Sequence, residues 1–160
     1  GRGADRVLLT IIPRGRDWMP TKAKINSSVF RHVEYELRSY WETRNEIKRI
    51  RDEIISMNPY EDDGNVGGSR GNLPGDPTGR KATALLMNRR LEYLERVAGA
   101  IRVVYDQLPA EKKRMVQLRY WANPPWQWNE IAEELEIGRT TAWRWNQEIV
   151  TAIAERLGWM

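Results

Sequence analysis

Apolar positions recur along two stretches of this chain at helical spacing. From Ser28 to Met57 they fall at Phe30, Val33, Leu37, Tyr40, Ile47, Ile50, Ile54 and Met57, with Arg44 on the one rung that breaks the pattern. Steps of three and four return side chains to one face of a helix. Ser27 or Ser28 offers a hydroxyl to the first-turn amides, and Asn58-Pro59 stops the helix. From Thr83 to Leu108, Met87, Leu91, Leu94, Ala98, Ile101, Tyr105 and Leu108 alternate steps of four and three, a heptad seam. Two narrow seams joined by a loop predict an antiparallel, coiled-coil-like hairpin. Neither seam is wide enough to close a core alone, so self-association is expected; burial of both stripes against the C-terminal helices is the alternative. Arg44 within the seam would fix register or pair with a glutamate.

The pattern shortens after Leu108. Pro109 suits a helix first turn, and "LPAEKKRMVQLRYW" places Met115, Val116, Leu118 and Tyr120 or Trp121 at helical spacing until Asn123–Pro125 ends it. "WQWNEIAEELEI" (Trp126–Ile137) is a short helix with Ile131, Ala132 and Leu135 on one face, and Trp126 and Trp128 as packing residues at its start. Gly138 is expected to allow a tight connection into a helix from Arg139 or Thr140 to Leu157, with Gly158 as its C′ residue. A short helix, a turn of about three residues and a longer helix form the sequence pattern of a helix-turn-helix, with small Ala132 where the second helix crosses.

On that second helix Ala142, Trp145, Ile149 and Ile153 share one face, and Arg139, Thr140, Trp143, Arg144 and Gln147 share the other. A step of two turns a helix by about 200°, so Trp145 should be core and Trp143 exposed. An exposed tryptophan among arginines calls for a cover; that cover is DNA or another protein surface. In a major groove the N-terminal residues of such a helix face base edges. Arg139 and Arg144 would pair with guanine or phosphate. Thr140 and Thr141 would cap the helix or touch phosphate, and Lys112 and Lys113 would reach the DNA backbone or stay on a solvated helix face.

Between the patterned stretches, residues 58–80 hold six glycines and three prolines, a composition that predicts a mobile loop. Residues 1–26 read as a flexible basic arm with a short extended piece at Val7–Ile12, and Met19 would serve as a start. The expected organisation is therefore an arm over 1–26, an oligomerising hairpin over 27–108, and a helix-turn-helix module over 109–160, all-α throughout.

Composition narrows the chemistry. The 160 residues contain no cysteine and one histidine, His32, expected to be exposed. Disulfides and thiolate-held metals are excluded, and the usual general base is scarce. "GNVGGSRGN" lacks the Gly-Lys-Ser/Thr of a phosphate loop, and "YEDDGN" lacks the last glutamate of a calcium loop. No catalytic residue, cofactor or metal is expected. No apolar run reaches the ~20 residues of a membrane span, so a cytoplasmic protein is the expectation. The net charge is +4. Residues 1–26 carry six basic and two acidic residues, but 109–160 carry seven of each. That neutrality, with Glu130, Glu133, Glu134 and Glu136 close together, opposes DNA binding unless these carboxylates turn away from the duplex or meet a protein partner.

The run from Leu108 to Gly158, "LPAEKKRMVQLRYW…WNEIAEELEIGRTTAWRWNQEIVTAIAERLG", resembles the fourth region of bacterial sigma factors. With "KINSSVFRHVEYELRSYWETRNEIKRIRDEI", the "NVGG" segment and "RKATALLMNRRLEYLERVAGAI" ahead of it, residues 24–158 look like the RinA family of phage-encoded late-gene activators and the related ArpU-like regulators. The resemblance implies sequence-specific binding to double-stranded promoter DNA controlling packaging and structural genes, alongside host RNA polymerase. It places Arg139, Thr140, Trp143 and Arg144 at base-reading positions. Sigma modules often carry charge at the last three, so Thr140 and Trp143 imply a different contacted sequence. A dimer or tetramer fits a regulator. A closed ring would fit a small terminase subunit, which also joins a helix-turn-helix to a helical hairpin. A protein-interaction adaptor of host polymerase is the reading in which the neutral C-terminal module touches protein instead of DNA.

Overall fold

A computed structural model describes residues 24–57 and 77–160. The expectations for the arm up to residue 23, including Val7–Ile12 and Met19, and for the loop over 58–76 lie outside the described residues. All the elements formed by the described residues are helices: α1 (Ser27–Arg38), α2 (Tyr40–Ser56), α3 (Pro77–Gln107), α4 (Ala110–Val116) with a π-helical continuation (Gln117–Trp121), α5 (Trp128–Glu134) and α6 (Arg139–Leu157). The fold is all-α.

The first expected helix is two helices. Ser39 (φ −85°, ψ 3°) closes α1 and α2 starts at Tyr40. The N-cap of α1 is Asn26, not a serine: its Oδ1 accepts from the Ser28 N–H at 2.8 Å and the Ser28 hydroxyl at 2.6 Å. The Ser28 hydroxyl thus donates to the cap and is not itself the cap. Residues 77–80, expected in the loop, are the first turn of α3. Pro77 lacks only an amide that this turn leaves unbonded anyway.

Contacts divide the chain into two compact units. One is Tyr40–Ala98; the other joins the residues up to Ser39 with Gly99–Met160. In the Tyr40–Ala98 unit, α2 buries Tyr40, Thr43, Ile47 and Ile50. Thr43 therefore fills the rung expected of Arg44. Arg44 stays exposed and lays its guanidinium 5.9 Å from the Tyr40 ring centre and 5.5 Å from that of Trp41. A threonine methyl can enter an apolar stripe; an arginine keeps its charge in water and covers the rings with its plane. On α3, Leu94, Val97 and Ala98 are buried, and Arg51–Glu95 (3.0 Å) and Arg90–Glu46 (3.3 Å) pair α2 with α3. Exposed pairs of this kind contribute about 0–1 kcal/mol each, so apolar burial dominates.

The second unit has a core of Val33 and Leu37 from α1, Ile101 and Val104 from α3, Met115, Val116 and Leu118 from α4 and its continuation, Ile131 from α5, and Ile149, Val150, Ile153 and Leu157 from α6. Six consecutive residues of α6, Ile149 to Ala154, are buried, so this half of the helix is enclosed on every side. Each fully buried aliphatic side chain of this size contributes about 1.5–3 kcal/mol. Ala100 and Val104 widen the α3 stripe beyond the expected seam of Ala98, Ile101 and Leu108. This end of the α3 stripe is thus buried within the chain.

Candidate nucleic-acid interface

Local chemistry positions α5. The Gln127 N–H donates to Glu130 Oε2 at 3.0 Å, so Glu130 reaches back to occupy an amide of the helix start. Ile131 and Ala132 are buried on its inner side. The helix stops after Glu134, and the Ile137 N–H bonds the Ala132 carbonyl at 2.9 Å. The connection bends at Glu136, which adopts φ +54°. This corrects the expectation for Gly138: it is extended (φ −70°, ψ 153°) and needs no glycine. A Cβ there would meet only Thr141 Oγ1, at 3.9 Å. Gly158, by contrast, sits at φ +72° and closes α6 as expected; the Trp159 N–H returns to the Ala154 carbonyl at 3.0 Å.

The first half of α6 presents Arg139, Thr140, Trp143, Arg144 and Gln147, all exposed. At about 100° per residue they span an arc of about 140°. Two guanidiniums stand on this arc and no carboxylate does. Thr141 is half-buried at its margin. Ala142, Ile149 and Ile153 are buried opposite, as expected, whereas Trp145 is only half-buried. Lys112 explains that: its ammonium stands 5.3 Å from the Trp145 ring centre and 3.6 Å from Glu148 Oε2, leaving its side chain 15% exposed. Lys112 is thus committed to α6. Lys113 is half-buried, with its ammonium 5.6 Å from the Tyr105 ring centre. The structure brings the five arc residues together and sets the two lysines apart on α4.

Trp143 is 43% exposed and is flanked by the chain itself. Its ring lies 5.9 Å from Phe30 of α1 and 5.8 Å, edge-on, from Trp128 of α5. Arg119, in the π-helical turn, places its guanidinium 4.7 Å from the Trp128 ring centre and bonds the Trp126 carbonyl at 3.0 Å. An aromatic row, Phe30–Trp143–Trp128, backed by Arg119, therefore crosses four elements beside the arc. The sequence pattern did not supply it. Phe30 reads as a seam residue, Trp128 as a local packing residue, and Arg119 as unremarked. Eight tryptophans, six of them after residue 120, are the one feature of the sequence that points that way.

Behind the row, a polar cluster fastens α1 to α6. Tyr120 Oη lies 2.8 Å from Glu34 Oε2 and 2.7 Å from Asn146 Oδ1, and Asn146 is completely buried. Burial first, and then the charge of Glu34, push the Tyr120 phenol above its ordinary range, so it stays protonated and donates. Trp121 Nε1 donates to the Leu37 carbonyl at 2.9 Å, adding a second tie to α1. His32, expected to be merely exposed, stacks on Trp159 (4.3 Å, 14°) with Nε2 3.3 Å from Glu36 Oε1.

The acidic residues gather elsewhere. Glu130, Glu133, Glu134 and Glu136 line an open depression of about 720 Å³ with Asn123, Pro125 and Trp126. Among the described residues, no group of His, Cys, Asp or Glu is placed to hold a metal ion, and no helix is long and apolar enough to cross a membrane. Four of the seven acidic residues of 109–160 thus gather in one place, and none of them stands on the α6 arc.

No curated protein and no solved structure matches this chain. Residues 32–155, most of its length, match the family described as "Protein of unknown function (DUF722)", and the chain belongs to that family.

Proposed function

We propose that this chain is a sequence-specific, double-stranded-DNA-binding transcriptional activator of phage late genes, of the RinA and ArpU-like type. It acts without catalysis, in the host cytoplasm, alongside host RNA polymerase. In this reading α5, the bend at Glu136 and α6 are a helix-turn-helix similar to sigma region 4, and α2 with α3 is an oligomerising hairpin. The observation that carries the proposal is the arc of α6, where Arg139, Thr140, Trp143, Arg144 and Gln147 stand together with no carboxylate. Arginine reads guanine by a bidentate pair worth about 1–3 kcal/mol of discrimination, and glutamine reads adenine. The neutral charge of 109–160 weighs less against this reading because Glu130, Glu133, Glu134 and Glu136 line a depression of their own and none of them stands on the arc.

The same depression favours a second reading, the polymerase adaptor: four glutamates beside Pro125 and Trp126 suit a basic protein segment. Fluorescence anisotropy on duplexes tiled across a late-gene promoter region, at two salt concentrations, separates the two. Saturable binding to one tile, weakened by salt, supports the activator. Equal and weak binding to every tile moves the assignment to the adaptor.

A further inference from the structure

The seating of α1 bears on which groups other than α6 meet DNA. Phe30 touches Trp143, one of the five residues of the exposed arc, with 5.9 Å between ring centres. The first turns of α1 therefore lie beside the α6 arc. The Asn26 cap fixes the start of the helix, and Glu34–Tyr120–Asn146 and Trp121–Leu37 tie α1 in place further along. Arg31 follows Phe30 by one residue, about 100° around the helix. It is exposed, and it has no ion-pair partner among the described residues. Ser27, exposed and one turn earlier, stands between Phe30 and Arg31 around the helix axis. The acidic residue next on this side, Glu34, is taken up by the Tyr120 hydroxyl and by Arg38 at 4.0 Å. The other carboxylate of α1, Glu36, faces His32 and is buried. Each carboxylate of α1 is thus engaged by a partner within the chain.

Resting on the DNA-binding reading above, we propose that α1 is a second DNA-contacting element. The Arg31 guanidinium, with the Ser27 hydroxyl beside it, binds a backbone phosphate flanking the groove in which α6 lies. Phe30 and Trp143 form the apolar wall between the base-reading helix and this phosphate clamp. Arg31 then supplies affinity and register without reading sequence, whereas Arg144 reads bases. The division of labour also accounts for a recognition unit whose own segment is neutral: part of its phosphate-neutralising charge comes from a helix more than a hundred residues away in sequence.

The test is a salt titration of DNA affinity for the full chain on two labelled duplexes, one selected for tight binding and one scrambled. Wild type, Arg31→Ala, Arg31→Lys and Arg144→Ala are compared, each first shown to keep wild-type helical circular dichroism and melting. One lost phosphate contact predicts that Arg31→Ala weakens binding equally on both duplexes, by roughly 3- to 10-fold, and lowers the slope of log K against log salt by about one. Arg31→Lys should restore most of both. Arg144→Ala should weaken the selected duplex alone. Unchanged affinity and slope for Arg31→Ala, with Arg144→Ala still impaired, overturns the clamp and leaves the DNA-binding reading standing. A loss confined to the selected duplex in Arg31→Ala also overturns it, since Arg31 would then read a base. Failure of wild type to bind either duplex above background overturns both.

Discussion

Single residues decide how the α5–α6 connection closes, and their roles invert the simplest expectation. Glu136 takes the left-handed conformation, where a Cβ costs about 1–2 kcal/mol. Gly138 takes an ordinary extended one as N-cap of α6, where its missing side chain leaves a first-turn amide unserved. Gly138→Ser should therefore stabilise the protein by a few tenths of a kcal/mol, up to about 1, by supplying a cap. Glu136→Asn should gain about 0.5 kcal/mol, because asparagine tolerates the left-handed region. Gly158→Ala, at φ +72°, should cost about 1 kcal/mol. Urea denaturation of the three variants checks all of this; a destabilised Gly138→Ser would mean that the turn needs glycine after all. No pattern in the sequence tells which residue of "LEIG" turns left-handed, since the choice is made by how α5 and α6 pack.

Among the elements, α1 is held to α6 by a polar cluster that periodicity hides. Asn146 lies among apolar neighbours and Tyr120 reads as one more core residue, yet together with Glu34 they link three elements. Tyr120→Phe should cost about 1–3 kcal/mol at neutral pH, since the buried Asn146 amide and Glu34 lose their partner. The pH dependence has a definite sign. The folded state holds the phenol proton more tightly than the unfolded chain, whose tyrosines titrate near 10.0. Above that pH the unfolded state binds fewer protons, so stability falls as pH rises, by up to about 1.4 kcal/mol per unit for this one group. Chemical denaturation of wild type and Tyr120→Phe between about pH 9.5 and 11.5 reads the difference: the wild-type slope should be the steeper, and equal slopes would remove Tyr120 as its source. Helix type and most helix ends were legible from the three-and-four spacing. The break at Ser39, the π-helical turn at Gln117–Trp121 and the start of α3 at Pro77 were not, because each depends on tertiary contacts or a composition that mimics a loop. For the candidate site, the arc of α6 was legible because exposure alternates within one helix. The row Phe30–Trp143–Trp128 was not, because it joins residues more than a hundred positions apart.

For the whole molecule, the open matter is what the remaining bare surface meets. In the unit containing Gly99–Met160 the α3 stripe is covered within the chain. In the Tyr40–Ala98 unit Leu85, Leu86 and Ile55 stay more than half exposed. Leu86 lies on the same side of α3 as buried Val97 and Val104, at about 100° per residue, so the stripe runs on past its cover. We propose that a second copy of the chain buries this stripe, giving the dimer or tetramer expected of a regulator. Leu86→Lys should then lower the mass seen by analytical ultracentrifugation while leaving helical content unchanged. A wild-type monomer at tens of micromolar would instead assign the stripe to another partner.

The central claim is that the arc of α6 reads base pairs, and selection from a pool of randomised duplexes tests it most directly. Wild type, Arg139→Ala and Arg144→Ala would be taken through the same rounds and the retained duplexes sequenced. Enrichment of one motif by wild type, with preference relaxed at a guanine position in each arginine variant, is the predicted result. Enrichment that neither substitution alters, or no enrichment at all, would contradict base reading by this helix.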